Sequence, residues 1–113
     1  MEIPGPLYPL RDICDFAKAG KVTFSLSAAN DLRKAGFTRE EACECISYLS
    51  EGEYDKSHRY DQRGIQVEYD AYVTTVRRPG GAVTLYVKVR RVSPSVVDQV
   101  HCTSFHPQRP IDD

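Results

Sequence analysis

The second half of the chain concentrates side chains that could hold a phosphate and move a proton. Cations bind phosphates, and aromatic rings stack on unpaired bases. A free histidine has a pKa of about 6.5, which suits proton transfer near neutral pH. The cluster indicates either a solvated polar surface or a platform for single-stranded RNA, and its members are Lys56, His58, Arg59, Tyr60, Tyr69, Tyr72, Arg77, Arg78, Tyr86, Lys88, Arg90, Arg91, His101 and His106.

Alternation along predicted strands groups part of this cluster on one face. Successive side chains of a strand point to opposite faces, so residues two apart share a face. By the same rule, His101 shares the parity of Phe105 and is expected to point away from His106. The two predicted same-face runs are Tyr54, Lys56, His58 and Tyr60, and Tyr86, Lys88 and Arg90.

Composition narrows the class of protein. The 113 residues carry 15 basic and 16 acidic side chains, so bulk positive charge does not explain any binding of nucleic acid. Phosphate-binding glycine loops and common hydrolase signatures are absent from the sequence. Of the four cysteines, Cys43 and Cys45 fall on opposite sides of a predicted helix, which favours reduced thiols over structural zinc. With neither a secretory signal nor a long apolar run, we expect a cytoplasmic protein that does not cross a membrane.

Three short helices are predicted in the first half of the chain, after an irregular, proline-rich segment 1–8. They span about residues 9–19, 28–35 and 39–50. Gly20 stands where a left-handed C-terminal cap is expected, and Ser27 is expected to cap the second helix. Thr38 and Glu41 form a capping box for the third helix.

After Gly52 the apolar pattern changes from helical to alternating. Residues 21–25 are expected to be an extended connector, and the tail 107–113 is expected to fray. Four longer strands are predicted at about residues 54–60, 65–76, 82–92 and 96–105. Short turns between them predict antiparallel pairing. The expected fold is therefore a single α+β domain over residues 1–113, with N-terminal helices packed on one face of a mostly antiparallel sheet.

Short motifs along the chain also occur in a characteristic order and spacing: Gly20-Lys21-Val22, Ser27-Ala28, Gly36-Phe37, Leu49-Ser50-Glu51, Tyr54-Asp55-Lys56-Ser57, Asp70-Ala71-Tyr72, Leu85-Tyr86-Val87-Lys88-Val89 and Ser104-Phe105. From about Tyr8 to His106 the chain thereby resembles the MqsR family of bacterial toxin endoribonucleases. The resemblance implies a RelE-like fold and mRNA cleavage without a metal or other cofactor. It also implies a cognate antitoxin with a helix-turn-helix region, so that DNA is contacted only through the antitoxin.

The resemblance also implies catalytic positions. Lys56 and Tyr86 match a lysine and a tyrosine of the family, and His106 stands where the family has lysine. Metal-free cleavage uses the 2′-hydroxyl of RNA as nucleophile and needs a base, an acid and a cation for the phosphorane charge. His106 suits proton transfer, Lys56 suits charge stabilisation, and Tyr86 can donate to a phosphate oxygen or stack on a base.

A fourth catalytic position is altered. Tyr69 stands where the family has glutamine, and a local bulge could present Glu68 there instead, with Gln66 as a further candidate. A rival function from another class is a catalytically silent module that engages RNA or protein through the same face. The residues predicted to bind RNA beside the catalytic set are His58, Lys88 and Arg90.

Overall fold

In the computed structural model, which describes residues 1–92 and 99–108, the first half of the chain forms three nine-residue helices. They are α1 (Leu10–Lys18), α2 (Leu26–Lys34) and α3 (Arg39–Ser47). Gly20 follows α1 and Gly36 follows α2, both with positive φ, where a side chain would be strained. The capping box of Thr38 and Glu41 is confirmed, with both of its hydrogen bonds present.

Two predicted helix boundaries are wrong. Ser25, not Ser27, caps α2, because its hydroxyl accepts a hydrogen bond from the Ala28 amide at 3.0 Å. The Ser25 amide is fixed in turn by the carbonyl of Cys102, 3.0 Å away, a long-range contact invisible in the local sequence. Helix α3 ends at Ser47 rather than near residue 50, and a 3₁₀ turn follows at Glu51–Glu53.

Six strands form one sheet: β1 (Glu2–Ile3), β2 (Val22–Phe24), β3 (Tyr54–Gln62), β4 (Ile65–Arg78), β5 (Gly81–Val92) and β6 (Gln99–Pro107). Their order across the sheet is β1-β3-β4-β5-β6-β2. The strands β3 to β6 pair antiparallel in sequence order, as predicted. Two short edge strands were not predicted: β1 lies within the segment 1–8 and pairs antiparallel with β3, and β2 lies within the connector 21–25 and pairs parallel with β6. The rest of segment 1–8 is irregular, as predicted.

The predicted α+β class is confirmed, and the core lies between the helices and one face of the sheet. Helix residues such as Ile13 and Ile46 pack against Leu85, Val87 and Phe105 from the strands. We call this side of the sheet the helix face and the opposite side the outer face. Among the described residues, no helix is long and apolar enough to span a membrane.

Parts of two predictions fall outside the described residues. The predicted turn at residues 93–95 and the predicted start of the last strand at Val96 lie there, as do residues 109–113 of the tail. Pro107, expected to begin a frayed tail, is the last residue of β6. The Gln108 amide then donates to the carbonyl of Thr84 at 2.8 Å.

Two β-bulges change which face particular side chains occupy. In β3, Tyr54 pairs with Tyr72 but Lys56 pairs with Ala71, so Asp55 is an extra residue. Tyr54 therefore packs at the core, its ring 5.7 Å from that of Tyr72, and the prediction that it shares a face with Lys56 is wrong.

The second bulge lies in β6. Lys88 pairs with Ser104 and Val89 with Cys102, which leaves Thr103 as the extra residue. His101 consequently pairs with Arg90 and lies on the outer face, so its predicted position on the opposite face from His106 is also wrong.

A buried carboxylate fastens the N-terminal segment to the sheet. Asp70, 1% exposed, accepts hydrogen bonds from the amides of Leu7 and Tyr8 at 3.0 Å and from the Ser57 hydroxyl at 2.6 Å. The chain passes so close here that a Cβ on Gly5 would lie 2.0 Å from Ser57 Oγ. We call Asp70 and its three donors the Asp70 clamp.

The four cysteines are free, as expected. Burial raises the pKa of the Cys14 and Cys43 thiols, of Cys45 to about 11, and of Cys102 to about 12. These groups are therefore protonated thiols at neutral pH, which act as small core side chains.

Candidate functional site

The outer face gathers most of the cationic and aromatic residues singled out in the sequence. The described helices all pack on the opposite side, so this face carries no helical layer. Strand register aligns its side chains in rows across β3, β4, β5 and β6. The outer-face residues are Lys56, His58, Tyr60, Tyr69, Tyr86, Lys88, Arg90, His101 and His106.

Lys88 lies at the centre of this surface. Its Nζ donates a hydrogen bond to the Tyr60 hydroxyl at 2.6 Å and lies 4.8 Å from the centroid of the Tyr60 ring. The same ammonium is 5.8 Å from the centroid of the Tyr86 ring. Tyr60 and Lys88 come from strands separated by β4, and the residue of β4 that pairs with Lys88 is the small, fully buried Ala71. A cation flanked by two tyrosines is thus held in the middle of the face.

His58 stacks beside this centre. Its ring is nearly parallel to that of Tyr60, with centroids 5.7 Å apart. Burial, followed by the positive charges of Lys88, Lys56 and the N-terminal amine, lowers the pKa of His58. His58 is therefore mainly neutral at pH 7, and its shielded Nε2 has no hydrogen-bond partner within the described part of the chain.

Tyr86 and His106 form a second group on the neighbouring strands. They are directly paired across β5 and β6, with ring centroids 5.5 Å apart. Burial, with smaller contributions from Tyr60 and Asp55, raises the pKa of Tyr86 to about 12. Its hydroxyl thus stays protonated at neutral pH, where it can donate a hydrogen bond to a phosphate oxygen.

The predicted catalytic residues are divided between these two groups. Lys56 and His106 lie on β3 and β6, three strand spacings apart, and Lys56 is in the row of Ser104, two residues from His106. Their backbones are therefore about 16 Å apart. Lys88 stands between the groups and approaches both Tyr60 and Tyr86. An RNA strand lying across the sheet would meet both groups, whereas one phosphate would not contact both Lys56 and His106 without side-chain movement.

Tyr69 is on the outer face but is only 4% exposed. The Tyr60 ring packs edge-on against it at 6.0 Å, and the Arg90 guanidinium lies 5.8 Å from its centroid. Contact between Tyr69 and RNA would require these neighbours to move, and in this arrangement Tyr69 packs beneath the Tyr60 ring and the Arg90 guanidinium.

The predicted alternatives to Tyr69 lie elsewhere. The pairing of β3 with β4 is regular here, so no bulge presents Glu68 on the outer face. Glu68 instead forms a salt bridge with Arg59 at 2.6 Å, and Tyr8 donates to its carbonyl. Gln66 pairs with Asp61 and shares the parity of Glu68, so it also points away from the outer face.

The structure adds a residue that the sequence did not assign to this surface. His101 lies beside Arg90, and its Nδ1 is 2.9 Å from the hydroxyl of Thr23 on the edge strand β2. Burial and the charge of Arg90 lower the pKa of His101. Neither the bulge at Thr103 nor the parallel pairing of β2 has a local sequence signal. Strand alternation alone therefore predicted the wrong face of the sheet for His101.

Within residues 1–92 and 99–108, no three His, Cys, Asp or Glu side chains converge as a metal site. No protein-family model matches the chain, and no curated protein matches it significantly. The resemblance noted in the sequence therefore stays a prediction.

Proposed function

We propose that this protein is a metal-independent endoribonuclease that cleaves single-stranded mRNA on its outer face. The observation that supports this best is the position of Lys88 between the rings of Tyr60 and Tyr86. Stacking rings beside a fixed ammonium match the two recognisable parts of a single strand, its bases and its phosphates.

Cleavage of RNA by its own 2′-hydroxyl requires only proton transfer and stabilisation of negative charge, and side chains of the outer face can supply both. The 2′-oxygen attacks the adjacent phosphorus as its proton passes to a base, the bond to the 5′-oxygen breaks, and that oxygen takes up a proton. Lys88 offsets the extra negative charge of the phosphorane, and protonated Tyr86 donates to one of its oxygens. Lys56 adds its charge after a side-chain movement towards the same phosphate. His106, in contact with Tyr86, is the proton-transfer group that the sequence predicts.

Incubation of the purified protein with a long single-stranded RNA tests this function. We expect fragments that end in a 2′,3′-cyclic phosphate, equally abundant with and without EDTA, and no cleavage of DNA of the same sequence, because DNA lacks the nucleophile. Intact RNA would contradict the proposal and favour the rival binding module. Fragments that vanish with EDTA would contradict the metal-free mechanism.

We further propose a toxin role in the cytoplasm, neutralised by a cognate antitoxin. Expression of the chain alone is expected to arrest bacterial growth, and Lys56→Ala is expected to relieve the arrest. Because Lys56 is a partly exposed strand residue, its loss should change the free energy of unfolding by only about 0.5 kcal/mol. Growth curves measure the arrest and its relief, and the amount of soluble protein shows whether the variant still folds. Undiminished arrest by the folded variant would remove Lys56 from the site.

A further inference from the structure

Arg90 carries a charge that the described part of the protein leaves without a counterion. Its guanidinium lies over the Tyr69 ring, yet its side chain makes no ion pair or hydrogen bond within residues 1–92 and 99–108. Its Nε is shielded from solvent and lacks an acceptor. Shielded charged groups are normally paired, and an anion would supply the acceptor that this Nε lacks among the described residues.

Two polar side chains follow Arg90 in the same row across β6 and β2. His101 is paired directly with Arg90, and Thr23 follows on β2. The Thr23 hydroxyl and His101 Nδ1 are 2.9 Å apart. When Nδ1 accepts from that hydroxyl, the neutral ring carries its proton on Nε2, which is then free to donate to an anion.

From this geometry we propose that Arg90 and His101 form a second phosphate subsite, which binds the phosphodiester next to the one held at Lys88. The inference rests on the proposed ribonuclease function and adds a distinct contact to it. Lys88 and Arg90 are two residues apart on one strand, about 7 Å along β5. That separation is comparable with one nucleotide step of an extended single strand. A flat guanidinium also suits two phosphate oxygens better than an ammonium does.

The test uses an RNA oligonucleotide with 2′-O-methyl groups, which blocks the nucleophile so that binding is measured without cleavage. Single phosphates are replaced in turn by neutral methylphosphonates. In wild-type protein we expect one linkage besides that at Lys88 whose neutralisation weakens binding about tenfold. Arg90→Gln should weaken binding of the unmodified strand by a similar factor and reduce the salt slope by about one.

The decisive comparison combines both changes. In the Arg90→Gln variant, neutralising that same linkage should cause no further loss of binding affinity, because the linkage's phosphate and the Arg90 guanidinium would be each other's partners. Arg90→Lys should keep the salt slope because it keeps the charge. The matched control, Arg33→Gln, removes a charge from the exposed surface of α2 and should leave the phosphate scan unchanged.

If the loss of affinity caused by Arg90→Gln simply adds to the loss caused by each neutralised linkage, no phosphate is the partner of Arg90. That result would overturn the subsite, even for a protein that cleaves RNA. Failure of the proposed function is recognised separately, because wild-type protein would then leave unmodified RNA intact while the binding scan is still measurable.

Discussion

Lys88→Met is expected to slow RNA cleavage by about 10² to 10³ at saturating substrate. The substitution removes the ammonium held between Tyr60 and Tyr86 but keeps most of the apolar stem. Loss of one preplaced group that stabilises developing phosphorane charge typically has an effect of this size. Single-turnover cleavage of a short labelled RNA measures it, with thermal unfolding as a check that the fold persists.

The matched control is Lys18→Met, which removes the same charge from an exposed position at the end of α1. This variant lies on the helical side of the sheet and should cleave at the wild-type rate. Equal rates for the two variants would show that the centre of the outer face is not the reaction site.

Asp70→Ala is expected to lower the free energy of unfolding by about 3–5 kcal/mol. The clamp carboxylate accepts from two partly buried backbone amides and from the buried Ser57 hydroxyl, so its removal leaves these donors without acceptors. Typical domains of this size are stable by about 5–15 kcal/mol in total, so much of the stability would be lost. Urea denaturation followed by circular dichroism measures the change.

Asp61→Ala provides the comparison for the Asp70 clamp. Its carboxylate accepts one hydrogen bond, from Gly64 in an exposed turn, so the loss should stay below about 1 kcal/mol. Similar losses in both variants would mean that the clamp contributes no more than an ordinary surface turn.

The helices and long strands were predictable because their signals are local. Apolar spacing located α1, the pair of Thr38 and Glu41 located the start of α3, and alternation located β3 to β6. The strands β1 and β2 were not predicted as strands. Each is two or three residues long and exists through pairing with a partner more than 50 residues away in the sequence.

The candidate site was predictable only in part, because face assignment assumes an uninterrupted strand. One extra residue in a strand moves every side chain beyond it to the face of the sheet opposite to the one that alternation predicts. Asp55 moves Tyr54 to the core, and Thr103 brings His101 to the outer face. The burial of Tyr69 also had no sequence signal, since it arises from neighbours on two other strands.

The strand order has a consequence for synthesis of the protein. The last strand, β6, inserts between β5 and β2, and it carries both His101 and His106. Because the N-terminus emerges from the ribosome first, β2 has no strand to pair with until β6, residues 99–107, has also emerged. The nascent chain therefore lacks a complete outer face until β6 has emerged. Under the proposed ribonuclease function, the nascent chain would stay inactive until β6 has been synthesised and has inserted into the sheet.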